Sequence, residues 1–156
     1  MKKKTVRLAS LVLALLLMVS MFAPSAQAAN YTVSVKTGQY VTLRNEGAAK
    51  YMNVYGSQNR SGANLDIYAW DGTSGEQFLI VHVGNGRYVI QPKCAPSCAV
   101  NIYGYAAGSN VNVCSWTKSG HVTQLWIIEY NPSLKGYIIR SADNPTYVLT
   151  ATGPRN

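Results

Sequence analysis

One block of short sequence elements occurs twice in this chain with nearly constant spacing. The elements of the first copy are Gly38-Gln39-Tyr40, Met52-Asn53-Val54-Tyr55-Gly56, Gly62 to Trp70 and Gln77-Phe78-Leu79. Those of the second copy are Gly86-Arg87-Tyr88, Val100-Asn101-Ile102-Tyr103-Gly104, Gly108 to Trp116 and Gln124-Leu125-Trp126. Tyr40 and Tyr88 are 48 residues apart, as are Gly56 and Gly104. A period of about 40 to 50 residues is typical of folds in which one unit buries its apolar face only against its neighbours.

A third copy begins but does not reach its later elements. Gly136-Tyr137-Ile138 starts it, Tyr147-Val148-Leu149 continues it, and the sequence stops at Asn156. We therefore predict three repeats at about 38–85, 86–134 and 135–156, of which the third is incomplete.

Residues 1–28 have the pattern of a secretory signal peptide. Four basic residues precede the unbroken apolar run Leu11–Met18, and Ala26-Gln27-Ala28 supplies a small-residue cleavage site. The run is shorter than the roughly 20 apolar residues that a membrane span needs. We expect a secreted, extracellular protein with a mature domain of residues 29–156 and no membrane contact after cleavage. The lysine-rich leader is typical of bacteria.

The charge of the chain does not favour a nucleic-acid partner. The whole sequence has 14 basic and 6 acidic residues, a net charge of +8. Four of the basic residues lie in the leader, so ten basic and six acidic residues follow it, a net charge of +4. The ten are scattered, whereas nucleic-acid binding needs a basic face or stripe.

Short apolar runs with a period of about two recur along the mature chain, separated by glycine, asparagine, serine and proline. The runs are Tyr31–Val35, Tyr40–Leu43, Met52–Tyr55, Leu65–Trp70, Phe78–Val83, Tyr88–Ile90, Val100–Tyr103, Val111–Cys114, Leu125–Tyr130, Tyr137–Ile139 and Tyr147–Leu149. No segment has a sustained helical period, so the pattern predicts an all-β domain.

The repeats are similar to those of the ricin B-type lectin family. Gln124-Leu125-Trp126 matches the Gln-x-Trp motif that closes a repeat of that family, and Gln77-Phe78-Leu79 matches it with the aromatic residue moved by one place. The resemblance covers residues 37–153 and implies the family's β-trefoil of three repeats. We expect the two glutamines to bond backbone groups. We expect three tryptophans in the core: Trp70, Trp116 and Trp126.

The resemblance also implies shallow sugar pockets built from a carboxylate, a stacking aromatic ring and amides near the closing motif. Such a pocket suits a pyranose, which has a ring of hydroxyls and a less polar C–H face. The corresponding residues of the first repeat are Asn53, Asp66, Tyr68, Glu76 and Gln77. Those of the second repeat are Asn101, Asn112, Cys114, Thr123 and Gln124.

Departures from the family pattern distinguish the two repeats. Asn53 and Asn101 stand where the family has an aspartate, so a charged acceptor, whose hydrogen bonds are about twice as strong as neutral ones, is missing. In this matching Cys114 takes the place of the stacking ring, whereas the first repeat has Tyr68 or the nearby Tyr55 to supply the ring and Asp66 to supply a charge. We therefore predict a sugar site in the first repeat and a degraded one in the second.

An incomplete third repeat would leave a trefoil barrel with open edges. Tyr31–Val35, which precedes Gly38-Gln39-Tyr40, aligns with Leu79–Val83, which precedes Gly86-Arg87-Tyr88. It is therefore a candidate for the missing closing strand. The alternatives are a prematurely ended gene, a fragment, or a homo-oligomer in which another copy completes the repeat.

Three cysteines allow at most one intramolecular disulfide. The resemblance implies a bridge from the second to the third strand of a repeat, which would join Cys98 to Cys114, and Cys94 to Cys98 is the rival pairing. A catalytic thiol would need a base within reach, and His82 and His121 lie in no recognisable catalytic motif. No paired ligand spacing is present. We expect no enzyme activity, no metal and no cofactor.

The combined expectation is a secreted, non-catalytic carbohydrate-binding module whose partners are saccharides or glycoconjugates. Two alternatives stay open. A β-trefoil protease inhibitor would act through a protruding loop, for which Gln91–Cys98 is the candidate. A trefoil remnant would bind no ligand.

Overall fold

The computed structural model describes residues 38–104, 106–108 and 112–152. The strands in these ranges are β1 (Tyr40–Val41), β2 (Arg44–Asn45), β3 (Lys50–Val54), β4 (Ala63–Tyr68), β5 (Phe78–Gly84), β6 (Arg87–Pro92), β7 (Cys98–Ile102), β8 (Val113–Thr117), β9 (Trp126–Asn131) and β10 (Gly136–Ser141). Three short 3-10 turns accompany them: Tyr55–Ser57, Ser74–Glu76 and Val122–Gln124. The predicted signal peptide and the predicted strand Tyr31–Val35 lie outside the described residues.

The all-β prediction is confirmed, and every predicted run between residues 40 and 139 overlaps a strand. The run at Tyr147–Leu149 appears as a single antiparallel bridge between Val148 and Arg140. The polar strand β2 was not predicted. It forms because its backbone pairs with β3, where Arg44 lies opposite Tyr51.

One five-stranded sheet has the order β1-β5-β6-β9-β10, and all its neighbours are antiparallel. Successive residues of a strand face opposite sides, so every second side chain points into the core. The fully or nearly fully buried residues of β5, β6 and β9 in the main core cluster are Phe78, Ile80, Tyr88, Ile90, Trp126 and Ile128. The closing strand of each repeat thus begins with a buried aromatic ring.

The second five-stranded sheet has the order β2-β3-β4-β8-β7. It consists of one hairpin from the first repeat, β3–β4, with β2 at its edge, and one hairpin from the second repeat, β7–β8. The hairpins meet where β4 pairs with β8, with Ala63 opposite Ser115 and Asn64 opposite Cys114. Its core-facing residues in the same apolar cluster are Met52, Val54, Ala63, Val100 and Ile102. The opposite face is therefore available for other contacts.

The strand ladders relate the two repeats by a constant offset of 48 residues. The β3–β4 ladder pairs Tyr51 with Tyr68 and Asn53 with Asp66. The β7–β8 ladder pairs Ala99 with Trp116 and Asn101 with Cys114. Trp116 is therefore the equivalent of Tyr68, and Cys114 is the equivalent of Asp66. The sequence matching, which placed Cys114 in the position of the stacking ring, was wrong.

The same offset holds at the closing motif. The 3-10 turns before β5 and β9 end at Glu76 and Gln124, so Glu76, rather than Gln77, corresponds to Gln124. The side chain of Gln124 accepts a hydrogen bond from the N–H of Ser119 and donates one to the carbonyl of Thr117, both at 2.9 Å. The predicted bonding of Gln124 to backbone groups is confirmed.

The tryptophan prediction is confirmed for one residue and wrong for two. Trp126 is 2% exposed, and its indole N–H donates to the carbonyl of Val100 at 3.0 Å. Trp70 and Trp116 are 49% and 43% exposed. Trp116 lies on the face of β8 opposite the core, and Trp70 follows the end of β4 and packs against the ring of Tyr51 at 5.4 Å.

The third repeat contributes β10 and the segment that returns beside it. The N–H of Leu149 donates to the carbonyl of Ile139 at 2.8 Å, and the N–H of Ser141 donates to the carbonyl of Tyr147 at 3.1 Å. Ile139 and Leu149 also pack against the main core cluster. The start of the third repeat is thus folded onto the first two.

The buried carboxyl of Glu76 allows a test of its equivalence to Gln124. Its Oε2 accepts the N–H groups of Asp71 and Gly72 at 3.1 Å, whereas its Oε1 is buried without a hydrogen-bond partner within the described part of the chain. Gln124 places a donating NH2 group in the corresponding environment. Because an unsatisfied buried polar atom costs about 1 to 3 kcal/mol, we predict that Glu76→Gln raises the free energy of unfolding by about that amount in a denaturant titration.

Gln124→Glu is the matched reverse variant, and we expect it to lower the free energy of unfolding by a similar amount because it removes the donor to Thr117. A Glu76→Gln protein that is no more stable than the original would contradict the equivalence of the two positions.

Candidate functional site

A pocket of about 480 Å³ lies on the outer side of the second repeat. Residues from β7, from β8 and from the segment before β9 line it: Asn101, Tyr103, Gly104, Trp116, Ser119, His121, Thr123 and Gln124. None of these eight residues is an aspartate, glutamate, lysine or arginine. The pocket is therefore lined by aromatic rings and neutral hydrogen-bonding groups, together with one histidine.

Two aromatic rings are exposed at this pocket. Tyr103 is 61% exposed and follows β7, and its N–H donates to the carbonyl of Asn112 at 2.8 Å. The indole of Trp116 lies close to Gly62, where a Cβ atom would be 3.5 Å from the ring. Gly62 has a φ of +79°, and its N–H donates to the carbonyl of Ser115, so the first repeat supports the position of this indole.

A short chain of hydrogen bonds forms the polar wall of the pocket. The Asn101 amide donates to the carbonyl of Ile102 at 2.7 Å, and its Oδ1 accepts the hydroxyl of Thr123 at 2.9 Å. The same hydroxyl lies 2.8 Å from Nδ1 of His121. Asn101 and Thr123 are only 7% and 2% exposed, whereas His121 is exposed. Buried groups therefore support a histidine at the surface.

Cys114 lies behind this wall, opposite Asn101 in the β7–β8 ladder. Burial raises the pKa of its thiol, and a hydrogen bond with the side chain of Asn101 partly opposes that rise. A thiol with a raised pKa is a poor nucleophile near neutral pH. Cys114 thus fits a structural role.

All three cysteines are free, so the predicted disulfide between Cys98 and Cys114 is not formed. Cys98 lies opposite Thr117 while Cys114 lies opposite Asn101, so the two cysteines are three positions out of register and on opposite faces of the sheet. Three positions correspond to about 10 Å along a strand. A disulfide needs Cα atoms within about 7 Å. The rival pairing with Cys94 is not formed either.

The first repeat brings three of the predicted site residues together. Asn53 donates to Oδ1 of Asp66 at 2.9 Å, and Tyr68 lies two residues further along the same face of β4. Gly75 takes the place of Thr123, and the hydroxyl nearby is that of Ser57, which accepts the N–H of Gly75 at 3.1 Å. The side-chain amide of Asn53 is bonded to a carboxylate instead.

Three other predicted site residues make structural contacts. Glu76 is fully buried. Gln77 donates to the carbonyls of Gly72 and Thr73 and accepts from Lys93 at 2.7 Å, as expected for a glutamine that bonds the backbone. Asn112 donates to Oδ1 of Asn64 at 2.9 Å and so links the two repeats. These contacts occupy polar groups that the family resemblance assigns to sugar binding.

Five residues that line the second-repeat pocket were not predicted from the sequence: Tyr103, Gly104, Trp116, Ser119 and His121. The signal that could have found two of them is the constant offset of 48 residues, which matches Tyr103 to Tyr55 and Trp116 to Tyr68. The matching followed residue identity instead, and so paired Trp116 with Trp70.

The candidate inhibitory loop is short and held against the domain. Residues 93–97 connect β6 to β7, and the N–H groups of Lys93 and Cys94 donate to the carbonyls of Gln77 and Ser74. Ala95 within the loop and Cys98 at its end are buried. Within the segment Gln91–Cys98, Lys93, Pro96 and Ser97 are exposed.

A metal-binding cluster and a membrane-spanning helix are both absent from residues 38–104, 106–108 and 112–152. In these ranges no three histidine, cysteine or acidic side chains are grouped so that they could hold a metal ion. Residues 38–104, 106–108 and 112–152 also contain no helix that is long and apolar enough to cross a membrane.

The family "Ricin-type beta-trefoil lectin domain-like" matches residues 27–113, which is more than half of the chain. The chain belongs to this family, and the predicted membership is confirmed. No curated protein sequence matches the chain significantly.

Solved structures with similar folds confirm the β-trefoil. ThreeFoil, a designed 3-fold symmetric protein, has 21% identity and a TM-score of 0.64 over 68% of this chain and 74% of its own. The Rhizoctonia solani agglutinin has 20% identity and a TM-score of 0.63 over 75% and 77%. The Macrolepiota procera ricin B-like lectin, in complex with lactose, has 14% identity and a TM-score of 0.58 over 70% and 72%.

Some similar structures are much larger proteins. The chain spans 14% of a mosquitocidal holotoxin and 23% of an exo-beta-1,3-galactanase from Clostridium thermocellum. At identities below 25%, these likenesses show the fold alone.

The free cysteines lead to a testable expectation. We predict that alkylation of the denatured, unreduced protein gives three adducts by mass spectrometry. In the folded protein, burial raises the pKa of Cys94 and of Cys114, so both should react at pH 8 more slowly than a small-molecule thiol. A single adduct after denaturation would show that a disulfide is present and would contradict the free state of the three cysteines.

Proposed function

We propose that this domain is a carbohydrate-binding module that holds a saccharide in the pocket of the second repeat. The observation that carries the proposal is the combination, in one pocket, of two exposed aromatic rings and a fixed polar wall. Pockets that bind small ligands typically join apolar walls to a few placed polar groups. Membership in a lectin-like family supports the ligand class.

The chemistry of a pyranose fits these parts. The electron-rich face of Trp116 or Tyr103 can pack against the C–H face of the sugar ring, whose hydrogens carry partial positive charge. The imidazole of His121 can bond a sugar hydroxyl at the rim. Thr123 and Gln124 are buried and bonded to protein groups, so they hold the polar wall in place.

The first repeat remains a second candidate, as the sequence predicts. Asp66 is half-buried and offers a charged acceptor, and Tyr68 offers an exposed ring on the same strand face. However, the hydrogen bond from Asn53 occupies one oxygen of that carboxylate. We favour the second repeat because its polar groups form a connected wall around a pocket.

The leader sequence supports a proposal about where the module acts. We propose export through the leader and cleavage after Ala28, with glycoconjugates as partners outside the cell. We also propose a non-catalytic role, supported by a pocket whose lining residues include no carboxylic acid for general acid or base chemistry. A homo-oligomer would add avidity to a weak single site.

The paired ring positions provide a matched test of the site. Trp116→Ala removes the ring of the second pocket, and Tyr68→Ala removes its equivalent from the first repeat, where the ring is 55% exposed. We predict by isothermal titration calorimetry that Trp116→Ala weakens saccharide binding at least about tenfold while Tyr68→Ala changes it less than about twofold.

Lactose and GalNAc are suitable first ligands, because similar lectin structures contain them. The opposite pattern, with binding lost in Tyr68→Ala and kept in Trp116→Ala, would place the site in the first repeat as the sequence predicts. Absence of binding by the unaltered protein to a broad saccharide panel would contradict the proposed function.

A further inference from the structure

We propose that Thr123 is a positioning residue that orients His121 and Asn101 for saccharide binding without touching the sugar itself. This inference rests on the proposed function of the second-repeat pocket. Thr123 is 2% exposed, and its hydroxyl lies between the side chains of Asn101, at 2.9 Å, and His121, at 2.8 Å. A single buried hydroxyl thus connects the buried side chain of Asn101 to the exposed side chain of His121.

The direction of these hydrogen bonds is set by a backbone carbonyl. The oxygen of Ile102 can only accept, so the group of Asn101 that faces it at 2.7 Å must be the NH2 group. The carbonyl oxygen of the Asn101 amide therefore faces Thr123. Because that oxygen can only accept as well, the one hydroxyl proton of Thr123 must point toward Asn101.

The remaining lone pairs of the Thr123 hydroxyl then face His121. A hydroxyl oxygen whose proton is used elsewhere can only accept, so Nδ1 of His121 must carry a proton and donate. The neutral ring therefore has its lone pair on Nε2. The backbone N–H of Thr123 also lies 3.4 Å from Nδ1, a contact that would need the opposite tautomer. The contact of 2.8 Å between the Thr123 hydroxyl and Nδ1, whose direction follows from the bond of Asn101 to Ile102, outweighs this longer contact.

This chain of bonds fixes the orientation of the histidine at the pocket. A ring whose Nδ1 donates to Thr123 keeps one orientation relative to the pocket wall. Side chains held in a productive orientation lose less entropy when a ligand binds. Thr123 would thus contribute to affinity through His121.

The first repeat cannot form the same chain of bonds. Its equivalent of Thr123 is Gly75, and a Cβ atom there would lie 2.7 Å from Oδ1 of Asn53, 2.7 Å from Oγ of Ser57 and 2.9 Å from the carbonyl oxygen of Val54. Because the last of these atoms belongs to the backbone, the site has no room for a side chain. The hydroxyl of Ser57 accepts the N–H of Gly75 at 3.1 Å, and Asn53 donates to Asp66. A hydroxyl at the position of Thr123 itself is therefore specific to the second repeat.

Two variants at Thr123 separate its hydroxyl from its volume. Thr123→Val keeps the shape and removes the hydroxyl, while Thr123→Ser keeps the hydroxyl and removes a methyl group. With lactose, GalNAc or another saccharide that the unaltered protein binds, we expect at least about tenfold weaker binding for Thr123→Val and binding within about threefold of the original for Thr123→Ser. Equal affinity of the valine variant and the original protein would overturn the proposal.

A spectroscopic measurement tests the orientation in the unaltered protein, and so does not depend on whether a variant folds. The ¹⁵N chemical shifts of His121 at a pH where the ring is neutral should report the Nδ1–H tautomer, and Thr123→Val should change the tautomer populations. The Nε2–H tautomer in the original protein would overturn the inferred bond directions.

The two proposals fail differently. If the unaltered protein binds no saccharide, the proposed function falls and the role of Thr123 in binding falls with it. If the protein binds saccharide and Trp116→Ala abolishes binding, but Thr123→Val binds normally, only the positioning role is overturned.

Discussion

The burial of one aromatic ring at the start of each closing strand is the constraint on which the rest of the structure depends. Phe78 begins β5 and Trp126 begins β9, and both are in the core cluster that joins the two sheets. A repeat of this size cannot bury such a ring by itself, so the repeats must pack together. The 3-10 turn before each ring is thereby fixed, and the turn before Trp126 carries Thr123 and Gln124, which line the pocket.

The sequence was sufficient to predict the fold because it contains both the apolar period of about two residues and the repeat. Alternating residues in β5, β6 and β9 show which face is buried, and the spacing of 48 residues between Tyr40 and Tyr88 shows the repeat. These features report burial, which depends on residue type. The core position of Trp126 followed for the same reason.

The site was less predictable because it depends on backbone register, which residue identity does not report. Pairing Trp70 with Trp116 shifted the matching by two positions, and a shift by two keeps the strand face but moves every side chain along it. The true partner of Trp116 is Tyr68, as the ladders show. The disulfide prediction failed for a related reason, since Cys98 and Cys114 share a hairpin but not a register.

The two repeats show how one backbone can hold different chemistry. At equivalent positions the first repeat has Asn53 bonded to a carboxylate, and the second has Asn101 bonded to a buried hydroxyl. The close packing around Gly75 explains why the first repeat keeps its own arrangement. Similar ring positions, Tyr68 and Trp116, therefore stand beside different polar groups. The fold supplies the positions, and these polar groups set what each position can bind.

A ¹H–¹⁵N NMR titration of the protein with a saccharide that it binds would test most directly whether the second repeat is the binding site. Assigned resonances report both repeats in the same sample, without any substitution. Our account predicts that the largest chemical-shift changes occur at the indole N–H of Trp116 and at the backbone N–H groups of Tyr103 and His121. Changes centred on Asp66 and Tyr68, with the second repeat unaffected, would contradict it.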